Sequence, residues 1–127
     1  MRILVTCESI AHGTGGGRTG ILGLCKALIG SGHDVSLIAT NAGMDDHQPE
    51  VLNEFNLYEG VNVAFYETQH CIFGNYVSYG FFLELRDNIK SFDLVLIHSI
   101  YRFSSTIAAF YARKNNIPYI LRPHGTL

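Results

Sequence analysis

The chain has 127 residues, 47% of them hydrophobic, and a formal net charge of −2. That length and apolar content describe one packed domain, able to bury about two thirds of its unfolded surface, and exclude a disordered chain. With no basic run there is no electrostatic footprint for nucleic acid, and no apolar stretch reaches the roughly 18 residues of a membrane span.

Met1-Arg2 followed by a short apolar run is too brief for a signal peptide. Residues 2–7, centred on Ile3-Leu4-Val5, read as a buried strand. Then comes G-T-G-G-G-R-T-G, from Gly13 to Gly20, where five glycines clear side chains from the backbone. Ile21, Leu24, Cys25 and Leu28 recur at helical spacing and predict a helix over 19–31. Strand, glycine loop and helix in that order point backbone N–H groups at an anion, usually a phosphate. The spacing Gly15 to Gly20 fits a P-loop, but Ile21 stands where the lysine belongs. Gly15, Gly17 and Gly20 satisfy G-x-G-x-x-G, a weak match in so glycine-rich a stretch. A surface loop without a ligand stays open at this point.

A second strand is expected at 34–40. It ends in Thr40-Asn41, with no acid to hold a ribose hydroxyl, which argues against a dinucleotide site. Asp45, Asp46 and His47 read as a polar loop rather than a metal site, because adjacent residues converge poorly on one ion. Pro49 suits the first turn of a helix over 49–58, closed by Gly60. A third strand follows at 62–67, then an aromatic segment from Tyr66 to Phe82, whose commonest use is core. Helices at 76–91 and 104–115 alternate with strands at 93–98 and 118–122. This alternation predicts a doubly wound, parallel, Rossmann-like α/β sheet, with strand order 3-2-1-4-5.

In such a sheet ligands sit beyond the carboxyl ends of the strands. The fourth strand ends in His98, followed by Ser99, Ile100, Tyr101 and Arg102; the fifth runs into Arg122-Pro123-His124-Gly125. Two histidines thus close strands on the edge that carries the glycine loop. Cys7, Cys25 and Cys71 form no C-x-x-C; Cys7 and Cys25 lie in apolar segments and read as core thiols of a protein from a reducing cytoplasm.

Four motifs in order resemble the N-terminal domain of a GT-B glycosyltransferase of family 4, the retaining "group 1" type. They are Gly15-Gly16 with Leu24 and Leu28, Gly32-His33-Asp34-Val35, Asp93-Leu94-Val95-Leu96-Ile97-His98-Ser99, and Ile117-Pro118-Tyr119 with Arg122-Pro123-His124-Gly125. The resemblance spans residues 1–127. It implies one acceptor-side domain, working without metal or other cofactor on a nucleotide-sugar donor and a saccharide or lipid-linked acceptor.

Carried over by position, Gly15, Gly16, Gly17 and Arg18 would lie against the donor diphosphate. His124 would stand at the reaction centre, and His98, Tyr101, Arg102 and Gly125 would line the acceptor pocket. Arg18 reads equally as a solvated surface charge. The donor half of such an enzyme is missing from these residues, so a truncated, inactive domain is expected. Its location would be cytoplasmic, with peripheral contact at the inner membrane face, and its fifth-strand edge would invite a second copy. A dinucleotide-binding Rossmann domain and a flavodoxin-like interaction module are the alternatives. The second would want acids at the strand ends, where histidines stand.

Overall fold

The computed structural model describes residues 1–10, 16–44, 49, 51–72, 75–99 and 102–122, the side chains of 16–18 apart. Its strands are β1 (Arg2–Thr6), β2 (Asp34–Thr40), β3 (Phe55–Tyr58), β4 (Val61–Tyr66), β5 (His70–Ile72), β6 (Asn75–Val77), β7 (Leu94–His98) and β8 (Tyr119–Arg122). Its helices are α1 (Gly16–Gly30), α2 (Tyr79–Asn88), extended by a 3-10 turn at Ile89–Ser91, and α3 (Phe103–Lys114).

Six strands form one sheet in the order β3-β4-β2-β1-β7-β8. Every neighbouring pair from β4 to β8 is parallel. The five expected strands therefore stand in the expected 3-2-1-4-5 order. Successive side chains of a strand point to opposite faces, and the core divides accordingly. Ile3, Val5, Leu37, Val63 and Phe65 pack with Ile21, Leu22 and Cys25 of α1 on one face. Leu4, Ile38, Ala64, Val95 and Ile97 pack with Phe81 and Leu85 of α2 and with Ala108 and Ala112 of α3 on the other. A sheet buried on both sides needs nearly continuous apolar strands, and β2 supplies one, Val35 to Ala39 being buried throughout.

The helix expected at 49–58 is absent: residues 55–58 are β3, antiparallel to β4. Phe55 and Tyr58, three apart, would share one face of a helix; here Phe55 packs on the α2 face and Tyr58 on the α1 face. Tyr58 meets Phe65 edge-on at 5.2 Å. The β3–β4 connection is Glu59-Gly60, with φ of 48° and 84°. Both angles are left-handed, as a two-residue type I′ hairpin requires. Gly60 is thus a hairpin residue, not a helix stop.

Two further differences bear on function. The glycine string is partly helical, since α1 already begins at Gly16. A second, two-stranded sheet, β5–β6, occupies part of the aromatic segment and delays α2 until Tyr79. Ser78 caps that helix, its hydroxyl accepting from the Phe81 N–H. Gly80 then lets α2 approach β4 closely, because a Cβ there would lie 2.8 Å from Tyr66 Cδ1.

Candidate functional site

Strand β1 leads through α1 on one face to β2, whereas β7 leads through α3 on the other face to β8. The winding reverses between β1 and β7, and the crevice beyond their carboxyl ends is where an open α/β sheet holds ligands. Cys7, Glu8 and Ser9 leave β1 there, and His98 and Ser99 leave β7.

This edge is wired by hydrogen bonds. The Thr40 N–H donates to the Glu8 carbonyl at 2.9 Å, and the Thr40 hydroxyl donates to the same oxygen. Ser9 Oγ donates to the Ala42 carbonyl at 2.6 Å. Asn41 bridges to β4: its N–H donates to the Tyr66 carbonyl at 3.0 Å, and its Oδ1 accepts from the Thr68 N–H at 3.0 Å. Ser99 donates to the Arg122 carbonyl at 2.8 Å, joining the ends of β7 and β8. Ser99 does so with φ of 76°, a left-handed conformation uncommon for serine and typical of functional turns.

Of the sequence candidates, His98 ends β7 fully buried, at 1% exposure. It follows Leu94 and Leu96 in the strand's alternation and therefore lies on the α1 face. Arg102 caps α3, and Ser105 Oγ accepts from its N–H at 3.2 Å and donates to its carbonyl at 3.0 Å. Gly16, Gly17 and Arg18 form the first turn of α1, so their backbone stands on the His98 face. Gly15, Tyr101, His124 and Gly125 lie outside the described residues, as do Asp45, Asp46 and His47.

Cys7 and Cys25 are buried, as expected of core thiols. Burial pushes the Cys25 thiol up to about 11 and the Cys7 thiol higher still, with Cys25 and Glu8 adding to the Cys7 shift. Neither is a thiolate near neutral pH, so neither is a nucleophile.

The strand-end rule reaches Cys7-Glu8-Ser9 without giving Glu8 a role, and the sequence carries no sign of the β5–β6 hairpin. Burial raises the Glu8 carboxyl above the ordinary carboxylate range, while the Arg102 charge and a hydrogen bond from the Tyr76 N–H pull it partly back. The hairpin is docked at both ends. Asn75 Oδ1 accepts from the Phe103 N–H of α3 at 3.2 Å, and Gln69 Oε1 accepts from the Tyr79 N–H of α2 at 2.9 Å. Four buried side-chain oxygens, Thr6 Oγ1, Glu8 Oε2, Thr68 Oγ1 and Ser104 Oγ, have no hydrogen-bond partner among the described residues. All four sit at the carboxyl end of the sheet. Buried polar groups are normally satisfied, so each of these oxygens calls for a partner that the described residues do not supply.

A mostly parallel sheet with helices on both faces and an open polar carboxyl edge defines a Rossmann-like ligand-binding domain. The family model for Glycosyltransferase Family 4 matches residues 14–127, and the chain belongs to that family, with the N-terminal fold of a GT-B enzyme. No curated protein and no solved structure matches the chain. No helix among the described residues is long and apolar enough to cross a membrane.

Proposed function

We propose that the chain is the acceptor-side domain of a retaining glycosyltransferase that moves a hexosyl group from a nucleotide sugar to a saccharide or lipid-linked acceptor. The observation that carries this reading is the open polar edge at the switch point, in a chain of Glycosyltransferase Family 4. Gly15, Gly16 and Gly17 bring backbone N–H groups to the departing diphosphate, with Arg18 beside them. Donors already aimed at charge that grows in the transition state are often the largest catalytic contribution. His124 contacts the transferring sugar, and His98, Tyr101, Arg102 and Gly125 receive the acceptor. A second α/β half supplies most donor contacts. The reading assigns the enzyme to the cytoplasm, at the inner membrane face when the acceptor is lipid-linked.

The test separates binding from turnover. Titrated by calorimetry with UDP- and GDP-sugars, the chain alone binds weakly and transfers nothing. Joined to its donor half it transfers, and His124→Ala then cuts turnover far more than donor affinity. Submicromolar donor binding or transfer by the chain alone overturns this division of labour, and unchanged turnover removes His124 from the mechanism.

A further inference from the structure

Glu8 follows β1 at the switch point, and the groups that act on its carboxyl mark the side it serves. Ile3 and Val5 pack on the α1 face and Leu4 on the opposite one, so Thr6 continues the row of Leu4, and Glu8 follows in the bend beyond the strand. Tyr76 and Arg102, the two groups that act on the Glu8 carboxyl, come from the hairpin and from the start of α3. The α3 helix packs on the same face as Leu4. His98 and the start of α1 stand on the other face. The carboxyl edge therefore has two compartments, and of the second only Arg102 figures in the family-derived assignment.

We infer that Glu8 accepts a hydroxyl of an uncharged saccharide acceptor in this second compartment, with the β5–β6 hairpin as its wall. The inference rests on the reading of this edge as a glycosyltransferase acceptor site. Three observations carry it. First, Glu8 Oε2 is buried and accepts nothing among the described residues, although a buried carboxylate oxygen strongly favours a donor. Second, Thr6 Oγ1 lies two residues earlier in the chain, at 0% exposure and with no partner there either. Ser104 Oγ, on α3, is in the same condition. Hydroxyls that can donate or accept beside a carboxylate that only accepts match the neighbouring hydroxyls of a sugar.

Third, the charges select against ions. The Arg102 guanidinium disfavours an ammonium group or a metal ion beside Glu8, and the Glu8 carboxylate disfavours a phosphate. A neutral polyol is what remains. The hairpin is held to receive it, because Asn75 Oδ1 accepts from the first turn of α3 at 3.2 Å.

The experiment is saturation-transfer NMR on this chain with methyl hexosides, an amino sugar and a hexose phosphate as probes. The wild type passes saturation to the neutral methyl hexosides more than to the charged probes. Glu8→Gln keeps the shape of the side chain and one acceptor oxygen. It weakens hexoside binding about tenfold, the worth of one hydrogen bond to a charged group. A thermal midpoint at pH 7 no lower than wild type shows that this loss is not unfolding. Hexoside binding that is absent, or equal in the two proteins, overturns the inference. So does a Glu8-dependent preference for the amino sugar, which makes the compartment a cation site. Donor turnover in the assembled enzyme is read separately: its absence sinks the transferase reading, while turnover with Glu8-independent hexoside binding sinks this subsite alone.

Discussion

The two ends of the central sheet are built from the same strands and closed in different ways. At the amino end the Arg2 N–H donates to Asp93 Oδ2 at 2.8 Å, and Arg2 Nη1 donates to the Ser91 carbonyl at 2.8 Å. Its guanidinium stands 3.5 Å from Asp34 and 4.9 Å above the Phe92 ring. These charged groups are exposed, with partners in reach. At the carboxyl end the polar groups are shorter and deeper. Thr6, Thr40, Ser78, His98 and Ser104 are each at most 1% exposed, and four buried oxygens have no partner among the described residues. One end is a clasp that tolerates change; the other holds polarity under burial, a costly arrangement that natural sequences keep where ligands bind.

The largest expected effect is at the carboxyl end. Gly80→Ala places a methyl group 2.8 Å from Tyr66 and 3.0 Å from Asn53 Oδ1, where α2 meets β4. Overpacking of this kind costs about 1–3 kcal/mol, read as a lower urea midpoint at unchanged slope. An unchanged midpoint means that α2 shifts freely, and the hairpin before it is then no fixed wall. Next in size is Gly20→Ala, of opposite sign. A Cβ at Gly20 meets nothing within 4 Å, so the fold itself has no packing use for that glycine. Alanine there stabilises α1 by about 0.5–1 kcal/mol. If the gain comes with weaker nucleotide-sugar binding, the glycine is kept for a ligand's approach; a gain with unaltered binding leaves the start of α1 out of the site.

Much of this was legible in the sequence. The apolar runs around Val5, Leu37 and Val63 announce buried parallel strands, and the strand-end rule points to His98 from the sequence alone. The region 49–58 was misread because Pro49 followed by Val51, Leu52, Phe55 and Tyr58 mimics helical spacing, whereas a sheet edge uses Phe55 and Tyr58 on opposite faces. Glu59-Gly60 was the hairpin signal, outweighed by the proline. The β5–β6 hairpin gave no periodic signal: its strands are three residues long, and all of β5 is exposed. Glu8 is a different case. A single acid after a strand carries no motif, and its meaning comes from Tyr76 and Arg102, brought to it from far along the chain.

At the amino end, Arg2→Ala removes the Asp34 ion pair, the Ser91 hydrogen bond and the Phe92 contact together. Exposed charge pairs contribute little, so the expected loss is below about 1 kcal/mol, with saccharide and nucleotide-sugar binding unchanged. Chemical denaturation beside a binding assay checks both halves. A loss as large as that from Gly80→Ala would show that the clasp, not the core, sets stability.

The smallest effect is the one whose sign discriminates most, and it belongs to Glu8. Its carboxyl holds its proton more tightly in the folded chain than in the unfolded one, because burial outweighs the help from Arg102 and Tyr76. Between the ordinary glutamate value and the raised one, the native state binds more protons than the unfolded state. Stability therefore falls as pH rises through that window. Below it, Glu8 is protonated in both states and adds no such penalty; above it, the penalty is present in full. Glu8→Gln has no proton to lose, so its thermal midpoint matches wild type in acid and exceeds it slightly at neutral pH. A ligand hydroxyl donating to the carboxylate stabilises the charged form, so a saturating neutral hexoside narrows the gap at neutral pH and leaves the acid limb alone. A variant less stable than wild type at neutral pH would mean that the Glu8 carboxylate is already satisfied within the fold, as the acids of the amino-end clasp are.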